Sequence, residues 1–350
     1  VTGLTRPSLD ELPAYVPGRS VPGSIKLASN EVPYGPLPGV VDAIVATAHN
    51  THRYPDMGVV ALKEKLAARL SVPAERVATG CGSVALLEHL VKAACAEGDE
   101  IVYSWRSFEA YPIVAATAGA SSVRVPNRAD HGHDLPAMAA AVGPRTRMVL
   151  LCNPNNPTGM ALSGAEIDEF LDTVGPDVIV VFDEAYREFV TDADVPDGLE
   201  TYGDRRNVVV LRTMSKAWGL AGLRVGYLVG HPDVVSAVAK VITPFSTSAV
   251  AQAAALAALD ADAEMRRRAD LVVSERERVY GRLSKVYPEV PPTQANFVWL
   301  PLGDRSIAFA GACESAGLIV RPFAGDGVRV TIGTAEENDA FLAVAESALA

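Results

Sequence analysis

Short apolar runs punctuate the first two thirds of the chain, at 101–103, 122–125, 148–152, 178–182, 208–211 and 225–229. Between several of them lie stretches with helical spacing, as at 84–96, 164–173 and 233–241. Val208, Val209, Val210 and Leu211 are apolar at consecutive positions, the pattern of a strand buried on both faces. Strands of this kind alternating with helices predict an α/β fold, with a mostly parallel sheet, helices on both faces and right-handed crossovers.

Beyond Ser246 the pattern changes. An alanine-rich and then charged helical stretch, 249–287, leads to the turn-forming PEVPPT. Strands are expected at 295–300 and 328–332 and helices at 307–316 and 336–349, which together make a small α+β lobe. The proline-rich first 40 residues are too few for a lobe and are expected to pack across the cleft. The division read from the sequence is therefore an N-terminal segment 1–40, a large domain 41–275 and a small C-terminal domain 276–350.

Composition narrows the partners. The chain of 350 residues carries 31 Lys and Arg against 42 Asp and Glu, a net charge of −11. On electrostatic grounds this argues against nucleic acid or an anionic membrane, so any bound anion needs a local cationic pocket. Cys81, Cys95, Cys152 and Cys313 show no CxxC spacing and read as reduced thiols without a metal. No apolar run approaches the ~18 residues of a membrane span, and the chain is read as cytoplasmic. Charges alternating from Glu264 to Arg278 are expected on a solvated helix face. The polar loop holding His131 and His133 between Asp130 and Asp134 is not read as a metal site.

Polar groups of different chemistry follow successive strands. Lys216, in RTMSKAWGLAGLR, stands just past the 208–211 run, at the sheet edge where open α/β folds bind ligands. Asp183 ends the 178–182 run and is followed by Glu184, Ala185 and Tyr186. Such a carboxylate suits a cationic ligand atom or a metal, although Asp also serves in turns. After 148–152 comes NPNNPTG, where prolines fix the backbone and asparagine amides offer donors and acceptors. TGCGS, 79–83, precedes a helix, and glycines there let backbone N–H groups approach a phosphate. Ser215 and Arg224 would complete an anion cradle. One phosphate, an aldehyde for a lysine and a ring nitrogen for a carboxylate together describe pyridoxal 5′-phosphate.

The strings KLASNE, RYPD, GCGS, CNPNNPTG, FDEAY, TMSKAWGLAGLRVGY, QANFVWL and VRVTIGTAEEN span nearly the whole chain. In content and order they resemble the fold-type I pyridoxal-phosphate aminotransferases, particularly the histidinol-phosphate and aromatic amino acid group. The resemblance implies a seven-stranded sheet in the large domain and a homodimer with shared active sites. It makes Lys216 the lysine that condenses with the cofactor aldehyde and Asp183 the partner of the ring nitrogen. Tyr186 and Asn156 would bond the ring's phenolate oxygen, and Phe108 would stack on the ring. The phosphate would be held by Thr213, Ser215, Arg224 and the backbone of Gly82, Ser83 and Val84, with Tyr54 reaching it from the neighbouring subunit. Arg329 would bind the substrate α-carboxylate and Arg321 matches a second arginine that in histidinol-phosphate enzymes helps bind the substrate phosphate, while Tyr15 and Asn30 lie in segments lining the substrate side.

Where relatives carry GNGSDE this chain has Cys81, Val84 and Ala85, which keeps the backbone amides and leaves Cys81 as a neutral lining. Trp218 replaces a common tyrosine on the helix expected after Lys216, and the Arg321 to Arg329 segment is short. Phe108, Tyr15 and that short segment favour aromatic amino acids as donors, with 2-oxoglutarate as acceptor. The alternatives are histidinol phosphate as donor, another reaction such as decarboxylation or elimination on the same cofactor, and a non-catalytic regulator.

Overall fold

The computed structural model describes Leu4, Leu12, Ala14, Tyr15 and residues 18–349. After a two-residue strand β1 (Ile25–Lys26) come helices α1 (Val40–Ala48) and α2 (Val60–Leu70). β2 (Val77–Gly80) leads into α3 (Ser83–Ala94), β3 (Glu100–Trp105) into α4 (Ala110–Thr117), and β4 (Ser121–Pro126) into α5 (Leu135–Ala140). Then follow β5 (Thr146–Cys152), α6 (Gly164–Val174), β6 (Ile179–Asp183) and α7 (Gly198–Tyr202). The large sheet ends with β7 (Val208–Thr213) and β8 (Gly226–Val229), after which comes α8 (Pro232–Val241).

β2 to β8 form one seven-stranded sheet in the order β2-β8-β7-β6-β5-β3-β4. The pairs from β7 through β4 are parallel, and β8 runs antiparallel to both its neighbours. Strand alternation explains the continuous apolar runs. Val180, Phe182, Val208 and Val210 enter one core while Val181, Val209 and Leu211 enter the core on the opposite face. The six apolar runs became β3 to β8. β2 escaped the pattern because its Val-Ala-Thr-Gly sequence is short and half polar or glycine, although all four residues are buried.

The expected single helical stretch 249–287 is two helices, α9 (Ala249–Asp260) and α10 (Asp262–Val286), broken at Ala261. Next come β9 (Phe297–Leu300), α11 (Ser306–Ser315), β10 (Leu318–Ile319), β11 (Arg321–Phe323), β12 (Gly327–Thr331) and α12 (Ala335–Leu349). β11, β12 and β9 make a three-stranded antiparallel sheet. β1 pairs in parallel with β10, and Thr331 N donates to Leu27 O at 2.9 Å, so residues 25–30 are strapped to the small lobe.

Two expectations need correction. Trp218 lies in a turn rather than on a helix, and its indole N–H donates to Glu188 Oε1 at 2.9 Å. On α10, Arg266, Arg267 and Arg278 do pair along the surface with Asp262, Glu264 and Glu275. Arg276, however, is fully buried. Its guanidinium donates to Phe189 O at 2.7 Å and to Thr191 Oγ1 at 3.1 Å, tying α10 to the segment after β6. Buried cations need such partners.

Among the described residues no helix is long and apolar enough to cross a membrane. None of their His, Cys, Asp and Glu side chains gather in a group able to hold a metal ion.

Candidate active site

A cavity of about 500 Å3 opens at the carboxyl ends of β5, β6 and β7, closed on the other side by the 25–30 segment and the β11–β12 hairpin. Asn156, Asp183, Tyr186, Thr213, Ser215, Lys216, Arg224, Arg321 and Arg329 all line it, as do Tyr15, Asn30, Ser83, Val84 and Phe108. The fold therefore gathers nearly every residue singled out from the sequence, although they come from strands and loops far apart in the chain.

β6 sets the carboxylates. Asp183 and Glu184 are adjacent, so the pleat sends them opposite ways. Glu184 goes to Arg212, accepting from Nε at 2.9 Å and Nη2 at 2.7 Å, and to the backbone of Gly198. Asp183 faces the cavity. Its Oδ2 accepts from the hydroxyl of Tyr111 at 2.8 Å, while its buried Oδ1 has no partner among the described residues. Burial pushes the carboxyl up to about 6, with the Tyr111 bond opposing the rise.

Lys216 follows β7, and its ammonium donates to Ser29 O at 3.1 Å. Burial, then the charge of Arg329, pulls the amine down to about 7. Its Nζ lies 5.8 Å from the centre of the Tyr186 ring. The Tyr186 hydroxyl accepts from Asn30 Nδ2 at 2.9 Å, and burial holds it above the ordinary phenol range. Asn30 itself adopts a positive φ of 55° and is pinned by its N–H to Thr331 Oγ1 at 2.9 Å.

The anion cradle forms where β7, β8 and α3 meet. Arg224 Nη1 donates to Ser215 Oγ at 3.0 Å, and Ser215 N donates to Thr213 Oγ1 at 3.1 Å. Ser83 begins α3, whose free N–H groups and dipole favour an anion. Gly82 has φ 84°, and a Cβ on it would stand 2.3 Å from Arg224 Nη2. That glycine lets the guanidinium lie against the loop. Cys81 does not line the cavity, contrary to the sequence reading; Ser83 and Val84 do.

On the opposite wall Arg329 is buried on β12. Its Nη1 donates to Asn156 Oδ1, its Nη2 to Ala28 O at 2.8 Å, and its Nε has no partner among the described residues. Arg321, across the hairpin in register with Arg329, pairs with Glu109 Oε2 at 2.7 Å. Tyr54 lies elsewhere: it is 82% exposed, is absent from the cavity wall, and stacks on Phe245 with centroids 4.5 Å apart.

The sequence reading missed Tyr111, Glu109 and the carbonyls of Ala28 and Ser29. Tyr111 stands three residues after Phe108, and the two rings meet edge to face at 5.6 Å. That spacing at a helix start was the available signal. Backbone carbonyls carry no residue signature at all.

A carboxylate, a lowered-pKa amine and an anion cradle converging at the carboxyl edge of this sheet define a fold-type I aminotransferase architecture. The chain belongs to the aminotransferase class I and II family, whose model matches residues 22–344. An aromatic amino acid aminotransferase of Rhodococcus jostii is 56% identical over 347 residues, covering 99% of this chain and 96% of the relative. One from Thermobifida fusca is 56% identical over 346 residues, covering 98% and 96%. The crystal structure of a histidinol-phosphate aminotransferase from Sinorhizobium meliloti in complex with pyridoxal-5′-phosphate superposes with a TM-score of 0.86 at 28% identity. That match covers 100% of this chain and 99% of the other.

The residues present fit pyridoxal 5′-phosphate. The unpartnered Asp183 Oδ1 is a buried acceptor suited to a protonated ring nitrogen, and the Gly82 loop with Arg224 forms a cradle that any side chain at Gly82 would fill.

Proposed function

We propose that this chain moves the amino group of an aromatic amino acid to a 2-oxo acid such as 2-oxoglutarate, using pyridoxal 5′-phosphate. The observation that carries the reading is the opposition of Lys216 and Asp183 on one wall to Arg329 on the other, with Phe108, Tyr15, Ile113 and Phe323 supplying apolar and aromatic wall between. The Rhodococcus and Thermobifida relatives, named for aromatic amino acids, support the same donor class.

When bound, the cofactor supplies an aldehyde for amine exchange and an electron-withdrawing pyridinium that stabilises negative charge at the substrate α-carbon. The chain supplies the rest. Arg329 presents a planar guanidinium for the α-carboxylate, a geometry that fixes orientation as well as charge. Asp183, ionised above about pH 6, would stabilise a proton on the ring nitrogen. Lys216, with its amine near 7, is substantially neutral at physiological pH and can take the α-proton and return it one atom away. Asn156 and Tyr186 offer an amide and a hydroxyl to the ring's phenolate oxygen. Thr213, Ser215, Arg224 and the backbone of Gly82, Ser83 and Val84 anchor the phosphate.

A homodimer is part of the same proposal, with Tyr54 reaching the partner's phosphate; the exposed Tyr54–Phe245 stack beside exposed Met57 and Val60 supports it. So is the division into 1–40, 41–275 and 276–350, with α10 continuous across the second boundary.

The test is kcat/KM for phenylalanine, tyrosine, tryptophan and histidinol phosphate with 2-oxoglutarate as acceptor. At least one aromatic amino acid should exceed histidinol phosphate by ~10-fold or more, about 1.4 kcal/mol in transition-state binding. Preference for histidinol phosphate overturns the reading.

A further inference from the structure

Arg321 does not face the cavity as a free cation. Its guanidinium is held by Glu109 at 2.7 Å, with side chains only 11% and 31% exposed respectively. The contact joins β11 of the small sheet to the residue just before α4, 212 positions away. Arg321 also lies 5.3 Å from the centre of the Phe323 ring, and Arg329 lies 5.8 Å from the same ring. The two arginines therefore stand side by side on one wall, and among the described residues Arg321 is paired with a carboxylate while Arg329 is not.

If Arg329 takes the α-carboxylate, as proposed above, Arg321 meets whatever extends beyond the α-carbon. An uncharged ring leaves the Arg321–Glu109 pair intact, with no charge desolvated alone. A distal carboxylate or phosphate must either displace Glu109 or share one guanidinium with it. Both outcomes set like charges close together in a partly dehydrated wall, where screening is weak. Phe108, the residue next to Glu109, contributes the adjoining aromatic surface together with Tyr15, their centroids 6.5 Å apart.

We propose that Glu109 is an internal counter-ion for Arg321 that lets the site hold an uncharged ring without a lone buried cation and weakens, without abolishing, its hold on ligands bearing a distal anion, the acceptor 2-oxoglutarate included. Glu109 touches no reacting atom in this scheme. It acts by occupying Arg321, so its effect is a selectivity, read as a ratio between two ligands. The inference rests on the proposed placement of the substrate carboxylate at Arg329.

The experiment uses the enzyme loaded with pyridoxal 5′-phosphate and two carboxylates that cannot turn over, glutarate and 3-phenylpropanoate. Both offer one carboxylate to Arg329 and differ at the distal end. Calorimetric Kd values are measured for the unaltered chain and for Glu109→Gln, Glu109→Asp and Arg321→Gln. Glu109→Gln should tighten glutarate relative to 3-phenylpropanoate by ~10-fold, about 1.4 kcal/mol. Glu109→Asp, which keeps the charge, should stay within ~3-fold of the unaltered ratio, and Arg321→Gln should move the ratio the opposite way. A ratio changed less than ~2-fold by Glu109→Gln, or parallel loss of both ligands, overturns the proposal. Since neither ligand reacts, absence of aromatic turnover alongside a shifted ratio would count only against the proposed donor.

Discussion

The hydroxyl of Tyr111 donates a 2.8 Å hydrogen bond to Oδ2 of Asp183, a cavity-lining residue whose Oδ1 is buried without a partner among the described residues. The bond holds the carboxylate in place and stabilises the ionised form, opposing the burial that lifts Asp183 to about 6. Tyr111→Phe removes a hydrogen bond to a charged group, an interaction of about 1.5–3 kcal/mol. The Asp183 carboxyl then rises by about one pH unit or more, at ~1.36 kcal/mol for each. Cofactor binding to the apoprotein, followed by quenching of protein fluorescence, should weaken as pH falls through about 6, and the midpoint should move upward in Tyr111→Phe. An unmoved midpoint would leave Tyr111 a packing residue only.

Asp183 also imposes a pH dependence on stability. Its folded value lies above its unfolded one, so the native state holds the proton more tightly and loses stability as pH rises from about 4 to 6. The separation between 3.8 and about 6 corresponds to roughly 3 kcal/mol. Asp183→Asn resembles the protonated carboxyl at every pH. The apoprotein variant should therefore gain on the unaltered apoprotein across this window, by up to roughly 3 kcal/mol, and the gain should level off above about pH 7. Urea denaturation from pH 4 to 8 measures it; a difference independent of pH contradicts the burial argument.

How much of this was readable in advance follows physical lines. Asp183 could be found because it directly follows a run of apolar residues and Lys216 because it lies a few residues past one, since a buried parallel strand delivers its next residues to the ligand edge; Asn156 was picked out of NPNNPTG by the resemblance. Arg329 came from the resemblance rather than from spacing, since it lies inside a strand and its neighbours are ordinary core residues. β10 and β11 were illegible because strands of two or three residues lack a period, and β2 because Thr and Gly make up half of its four residues. The pairs Tyr111–Asp183, Glu109–Arg321 and Arg276–Phe189 depend on tertiary approach across 72, 212 and 87 positions. A charge pattern on one helix cannot report them, which is why Arg276 read as solvated while being buried.

Lys216→Ala separates binding from proton transfer. The variant should still bind the cofactor's phosphate through Arg224 and Ser215, but without the amine kcat should fall by ~10³-fold or more, within the range for loss of a positioned acid–base group. Multiple turnovers at a rate near that of the unaltered enzyme would refute the assigned role.

The phosphate cradle is tested at its tightest point. Gly82→Ala puts a Cβ 2.3 Å from Arg224 Nη2 and imposes a side chain on a residue at φ 84°. The guanidinium has to swing away, weakening a charge-assisted contact of about 1.5–3 kcal/mol. Cofactor Kd should rise by ~10-fold or more while the apoprotein still folds. A Kd within about twofold of the unaltered value, at 1.4 kcal/mol for each factor of ten, would place the phosphate elsewhere.

Arg329→Lys keeps the charge and removes the planar fork. The Nη1 and Nη2 bonds to Asn156 and to Ala28 O orient that fork, and β12 holds its base among Phe297 and Phe323. A lysine ammonium cannot present two parallel N–H groups to a carboxylate. The expected loss is about 2 kcal/mol, or ~30-fold in kcat/KM for phenylalanine. It should appear mainly in KM, because the α-carboxylate is bound before and throughout proton transfer. A loss confined to kcat would mean that Arg329 acts on the reacting atoms instead, and the substrate orientation proposed for this cavity would have to be reversed.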